Sequence, residues 1–133
     1  MYLLDTCVIS DFVKGNMVTI EKITSCSPSD IAISTVTKME IEYGLKRIPE
    51  RRMKIDLILR SLYESIHILP FCQQSASVAA ELRYELSKEG MPIGPYDFLI
   101  AATALANEMI MVTSNLKEFN RIKSLKVENW RYE

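Results

Sequence analysis

The chain has 133 residues, 48% of them apolar and 25% charged, which is enough for one buried core without staples and ordinary for a globular domain. Net charge is −1, so no whole-molecule field draws in nucleic acid or an anionic membrane, and an anionic partner must be held by local patches. The 3 cysteines form no Cys-x-x-Cys pair and there is 1 histidine, which argues against a disulfide framework, a zinc site or a multi-histidine metal centre and fits a reducing compartment.

MYLLD, at the start, reads as a short apolar strand closed by an acid, Asp5. It carries no basic leader, and the acid interrupts any signal-like core, so the expected location is the cytoplasm. TCVISDFVKG then reads as a helix, with Asp5 or Thr6 as its cap and Gly15 as its stop. DIAIST supplies a second strand, from Ile31 to Ile33, and VTKMEIEYGLKR a second helix, in which Thr37 and Glu40 have capping-box spacing. Between Glu50 and Ser65, Ile55, Ile58, Leu59 and Leu62 fall on one helical stripe.

IHILPF is a strand stopped by Pro70. QSASVAAELRYELSKEG is a helix with Ser75 or Ser77 near its start and Gly90 just past its end. PYDFLIAATALA is another, with Pro95 suited to its first position and Asp97 to its first turn. It is apolar nearly all round and should be central and buried. A strand from Met109 to Thr113 follows, and KVENW can form a last short one. No apolar run reaches the roughly 18 residues a membrane span needs. Strands alternating with helices imply one α/β domain over residues 1–133, with a mostly parallel sheet covered on both faces.

In such a sheet, sites form beyond the carboxyl ends of the strands. Asp5 closes the first strand, Glu40 and Asp97 lie in first helical turns, and TSN (Thr113 to Asn115) ends a later strand. Each acid taken alone can be a cap or a complement to a helix dipole. Together, three carboxylates at one sheet edge would repel one another, and a divalent cation removes that conflict. Carboxylates without histidine or thiolate suit a hard ion, Mg²⁺ or Mn²⁺, the usual apparatus of phosphodiester hydrolysis. Gly44, four residues after Glu40, lets another backbone approach that helix face or simply weakens the helix.

YLLDTCVIS, ISTVTKMEIEYGL, GMPIGPYDFLIAATALA and MVTSNLKEFNRI resemble, in order and spacing, the motifs of PIN domains, more narrowly of the VapC toxins of prokaryotic toxin–antitoxin pairs. The closing LKVENW is similar to the end of many VapC chains. The resemblance implies a three-layer α/β/α sandwich and a Mg²⁺- or Mn²⁺-dependent endoribonuclease restrained by a VapB-like antitoxin. It also implies a homodimer and an RNA substrate that is a tRNA, with VENW leaning toward initiator tRNA. By matching motifs, Asp5, Glu40 and Asp97 carry over as the metal-holding, catalytic acids, while Glu42 turns about 200° away from Glu40. The fourth acid of many PIN domains is replaced by Asn115, and Glu118, three residues on, could reach the site instead. Thr6 and Thr113 stand beside the acids as supporting hydroxyls.

Two basic stretches could hold RNA phosphates. Lys46 to Arg60 has six basic and two acidic residues; Asn115 to Val127 has Lys117, Arg121, Lys123 and Lys126 against Glu118. Arg51, Arg52, Lys117 and Arg121 are the candidate RNA contacts, and Tyr43, Tyr96 and Phe119 could stack on bases or pack in the core. An antitoxin segment could lie in a groove supplied by Lys38–Gly44 and Arg52–Leu62. A PIN-like module that binds RNA or protein without cutting is the alternative, supported by Asn115, and a Cys7–His67 hydrolase is a weaker one.

Overall fold

The computed structural model describes residues 1–131. Five short strands form one wholly parallel sheet: β1 (Tyr2–Leu4), β2 (Ile31–Ser34), β3 (His67–Leu69), β4 (Ile110–Val112) and β5 (Val127–Glu128). Their order is β3-β2-β1-β4-β5, so the first strand of the chain is the middle of the sheet. Tyr2, Leu3 and Leu4 pair with Ile110, Met111 and Val112 on one side, and Tyr2 and Leu3 with Ile31 and Ala32 on the other. Leu3, Leu4, Ala32, Ile33, Met111 and Val112 are fully buried, as strands covered on both faces must be.

Four helices lie on one face: α1 (Thr6–Val13), α2 (Met17–Ser25), α3 (Thr35–Lys46) and α4 (Arg52–Ser65). They pack Val8, Ile9, Ile23, Ile41, Leu45, Leu59 and Leu62 against Leu4, Ile31, Ile33 and Val112. Two further helices, α5 (Gln73–Lys88) and α6 (Asp97–Ala106), cover the other face. There Ala79, Leu82, Leu86, Ile100, Ala101, Ala102 and Ala104 meet Leu3, Ala32 and Met111. One turn of helix, α7 (Leu116–Phe119), joins β4 to β5. The expected α/β/α sandwich and the buried, central α6 are both present; the sheet is parallel throughout.

Several boundaries differ from the sequence reading for local reasons. The Thr37–Glu40 capping box does not form: Ser34, the last residue of β2, caps α3 by accepting from Thr37 N at 3.0 Å. The strand passes straight into the helix, so Glu40 stands in the second turn and its carboxylate is released from capping. Pro95 lies outside α6, whose first residue is Asp97. The unexpected α2 is capped by Asn16, directly after Gly15 stops α1 with φ +85, and Asn16 Oδ1 accepts from Thr19 N. Among the described residues, no helix is long and apolar enough to cross a membrane.

Candidate active site

Because β1 sits mid-sheet, the chain leaves it toward β2 on one side and returns to it through β4 on the other. The crevice beyond its carboxyl end is therefore the switch point where open α/β sheets place ligands. Asp5 occupies that point. Its backbone continues the ladder, N–H to Val112 O at 2.9 Å, while its side chain caps α1 by accepting from Thr6 N at 2.8 Å. The second carboxylate oxygen accepts from Thr113 Oγ1, also at 2.8 Å. Cys7 Sγ lies 3.7 Å from that oxygen and accepts from Ser114 Oγ at 3.3 Å.

Glu40 reaches the crevice from α3, where its Oε1 accepts from Thr6 Oγ1 at 2.7 Å. Thr6 thus bridges the two acids, taking Asp5 through its N–H and Glu40 through its hydroxyl. Glu42 points away, in an ion pair with Lys38 on the outer face. Asp97 enters from the opposite layer, at the head of α6, and interacts with Asp5, Glu40 and Glu118.

Glu118, and not Asn115, brings the fourth carboxylate. Its Oε1 accepts from Gly94 N and its Oε2 from Asn115 Nδ2 at 2.8 Å. Asn115 supports this arrangement from the rim, with its own N–H on Thr113 Oγ1 at 3.0 Å. Gly94 has a steric reason to lack a side chain. A Cβ there would fall 2.9 Å from Asp97 Oδ2 and 3.5 Å from Glu118 Oε1. Gly94 was not readable as a site residue from the sequence, since it contributes only its backbone and its lack of a Cβ; Cys7, weighed there as a nucleophile paired with His67, instead lies between the Asp5 carboxylate and the Thr113 and Ser114 hydroxyls.

The electrostatics follow from four acids with no basic side chain ion-paired to them among the described residues. Asp97 is pushed up to about 7, first by burial and then by Asp5, Glu118 and Glu40. Burial also raises Asp5, with Glu40 adding to it; the bonds from Thr113, Thr6 N and Cys7 work the other way. Burial works to raise Glu118 as well, but Gly94 N–H, Asn115, Asp97 and the nearby Arg121 outweigh it and hold Glu118 below its ordinary value. Near neutral pH the chain thus relieves its own crowding with a proton carried on Asp97.

Hard divalent cations fit this donor set, since the four acids offer carboxylate oxygens and their crowding asks for positive charge. Among the described residues no three His, Cys, Asp or Glu side chains close tightly round a single point. Mg²⁺ tolerates such spacing, because it keeps several waters and binds through one or two carboxylates plus substrate phosphates.

Beside the acids runs a groove of about 590 Å³ between α1, α3 and α4, ending at Thr6 and Glu40. Ile9, Val13, Ile41, Leu45, Ile55 and Ile58 form its apolar floor; Lys14, Arg51 and Lys54 stand on its rim. Arg52 instead pairs with Asp56 at 3.4 Å. Lys117 is exposed, and Arg121 donates to Pro92 O at 3.0 Å. Phe119 is fully buried, whereas Tyr43 and Tyr96 are exposed. His67 lies at β3 against Ser29 O, while Cys7 is engaged by Asp5, Thr113 and Ser114, so no Cys–His pair forms.

The PIN domain family matches residues 2–125. The tRNA(fMet)-specific endonuclease VapC of Salmonella typhimurium is 31% identical over 131 residues, covering 97% of each chain. Ribonuclease VapC2 of Rickettsia felis is 39% identical over 103 residues, 75% of this chain and 74% of the relative. Among solved structures, VapBC2 of Rickettsia felis bound to a promoter DNA fragment superposes with TM-score 0.89 at 30% identity, covering 97% of this chain and 98% of that one. The DNA-bound VapBC of Salmonella typhimurium matches equally well, with TM-score 0.89 at 29% identity and 97% of both chains. Fold, motif order and full-length similarity agree: the chain is a PIN domain and belongs to the VapC family.

Proposed function

We propose that this protein is a metal-dependent endoribonuclease that hydrolyses RNA phosphodiester bonds, with tRNA, initiator tRNA in particular, as its substrate. The observation that carries the reading is the gathering of Asp5, Glu40, Asp97 and Glu118 at the switch point with no basic side chain ion-paired to them among the described residues. Asp5, Glu40 and Asp97 would hold Mg²⁺ or Mn²⁺, with Glu118 completing the ring. The ion supplies Lewis-acid stabilisation of charge on the phosphoryl oxygens and makes the attacking water more acidic.

The chain's own groups do the rest. Thr6 fixes the Glu40 carboxylate through a 2.7 Å bond and Thr113 fixes Asp5 through a 2.8 Å bond, so neither acid needs to reorganise as the phosphorus changes geometry. Asp97, raised by burial and its acidic neighbours, would be favoured in its ionised form by a bound cation. Asn115 and Gly94 hold Glu118 ionised beside it. Arg51 and Lys117 offer exposed cations for flanking phosphates, with Arg52 and Arg121 near them.

The same reading assigns a VapB-like antitoxin as partner, self-association as a dimer, and the cytoplasm as the place of action. An amphipathic antitoxin segment suits the apolar groove between α1, α3 and α4. The test is incubation of purified protein with total tRNA in Mg²⁺, in Mn²⁺ and in chelator, beside Asp97→Asn prepared identically. Cleavage that requires the ion and vanishes in the variant supports the reading. Intact RNA under every condition, with folded and antitoxin-free protein, would leave a PIN module that binds without cutting.

A further inference from the structure

Gly44 sits in the last turn of α3, three residues before the Arg47 cap, on a face that the rest of the chain leaves open. It lies within α3 with ordinary helical backbone, absent from the positive-φ positions, and a Cβ added there would meet nothing within 4 Å. Glycine in a helix interior is less stable than alanine because it loses more backbone freedom on folding. The fold would accept alanine here, so the bare backbone leaves this face of α3 open to a group from outside.

The neighbours say what kind of ligand that is. A helical residue turns about 100° from the last, so Glu40, Tyr43, Gly44 and Arg47 fall within one arc of about 100°. Glu40 on that arc is one of the four acids, and Gly44 lines the groove beside it. Tyr43 is 61% exposed, with the Arg47 guanidinium 5.9 Å from its ring centroid. Val36, seven residues before Tyr43 and on the same side of α3, packs against the core under α5 and α6. Tyr43 therefore stands on the side of α3 turned toward the α5–α6 layer, one helical turn from Glu40. Across the groove, Lys14, Arg51 and Lys54 have no ion-pair partner among the described residues.

An exposed aromatic ring backed by a cation, an open glycine and a row of unpaired cations beside an acid centre match single-stranded nucleic acid. We propose that this face of α3 is the substrate-strand subsite: the RNA sugar–phosphate backbone crosses α3 against Gly44, and the base next to the scissile phosphate stacks on Tyr43. Arg47 and the groove cations then hold the adjoining phosphates. This rests on the nuclease reading above and adds to it that the strand must be unpaired where it is cut.

The test measures binding of fluorescein-labelled bulk tRNA to the full chain in Mg²⁺, on an Asp97→Asn background that does not cut, with cleavage by the same substitutions in the otherwise native chain. Gly44→Ala should melt at or above the parent temperature yet bind RNA about tenfold more weakly, because the added methyl obstructs only the ligand. Tyr43→Ala should weaken binding by about tenfold, while Tyr43→Phe and Tyr43→Trp retain it. RNA binding unchanged in both Gly44→Ala and Tyr43→Ala overturns the subsite. So does loss of antitoxin binding alone in Gly44→Ala, which would assign the glycine to the protein partner. Loss in Tyr43→Phe equal to that in Tyr43→Ala refutes stacking. A parent that binds no RNA removes the nuclease reading itself; a parent that binds and cuts while the variants match it removes only this subsite.

Discussion

Replacing Asp97 by asparagine should stabilise the metal-free protein, and the size of the gain should depend on pH. Asp97 rises from an ordinary 3.8 to about 7 in the folded chain, chiefly through burial and then through Asp5, Glu118 and Glu40. Between those values the unfolded chain has an ionised Asp97 and the folded chain a protonated one, so folding takes up a proton. Wild-type stability therefore falls as pH climbs from about 4 to about 7 and then levels. A rise of that size would be worth about 4 kcal/mol for a fully buried group. Asp97 is only half-buried, and solvent screening brings the figure to about 1–2 kcal/mol. Asparagine cannot ionise, and its amide can still donate to Glu118. In chelator at pH 8, Asp97→Asn should melt roughly 5 °C above wild type, with the gap closing near pH 4. Mg²⁺ at pH 8 should raise the wild-type melting temperature and leave the variant nearly unmoved. Thermal melts at pH 4 and 8, with and without Mg²⁺, measure all of this. A variant no more stable than wild type at pH 8, or a gap independent of pH, would show that carboxylate crowding is not what shapes this site.

Gly94→Ala drives a Cβ into the Asp97 carboxylate at the end of a flexible side chain, so cleavage should fall at least tenfold with little change in melting temperature, read by parallel nuclease assays and melts. Glu118→Gln removes a charge from the ring and should raise the Mg²⁺ concentration for half-maximal cleavage several-fold, as an ion titration would report. Thr113→Val takes the donor from the buried Asp5 carboxylate and the acceptor from Asn115 N–H; about 1–3 kcal/mol of stability should be lost, measured by urea unfolding. If the exposed cations Lys14, Arg51 and Lys54 carry the phosphate contacts as proposed, KM for tRNA should climb with salt, and Arg51→Ala should flatten that slope.

The parts of this fold legible in the sequence are those whose cause is local. Short apolar runs gave β1 to β4, the stripe at Ile55, Leu59 and Leu62 gave α4, and the all-round apolar FLIAATALA gave a central helix that buries Ile100 to Ala104. What stayed hidden depends on contacts distant in sequence or on very short spans. Helix α2 buries only Thr19 and Ile23, too few to print a period, and α7 is 4 residues long. Thr37 and Glu40 have the spacing of a capping box, yet Ser34 caps the helix because no loop separates it from β2. The motif acids were visible from their positions: Asp5 where a strand ends, Asp97 where a helix starts, and Glu40 early in the helix that follows the second strand. The placement of the Glu118 carboxylate beside Asp97 was not, because it depends on Gly94 N–H, 24 residues earlier in the chain.

Consider the acid centre as a matter of timing. Asp5 is among the first residues made, but its carboxylate is set by Thr113, 108 positions later, and its strand gains a second neighbour only when Ile110–Val112 arrives. Asp97 and Glu118 come from a layer built from the second half of the chain. A ribosome must finish nearly the whole protein before the fourth carboxylate can join the first three. A chain that breaks RNA is thus harmless to the machinery still translating it, and a prematurely terminated copy is inert by construction.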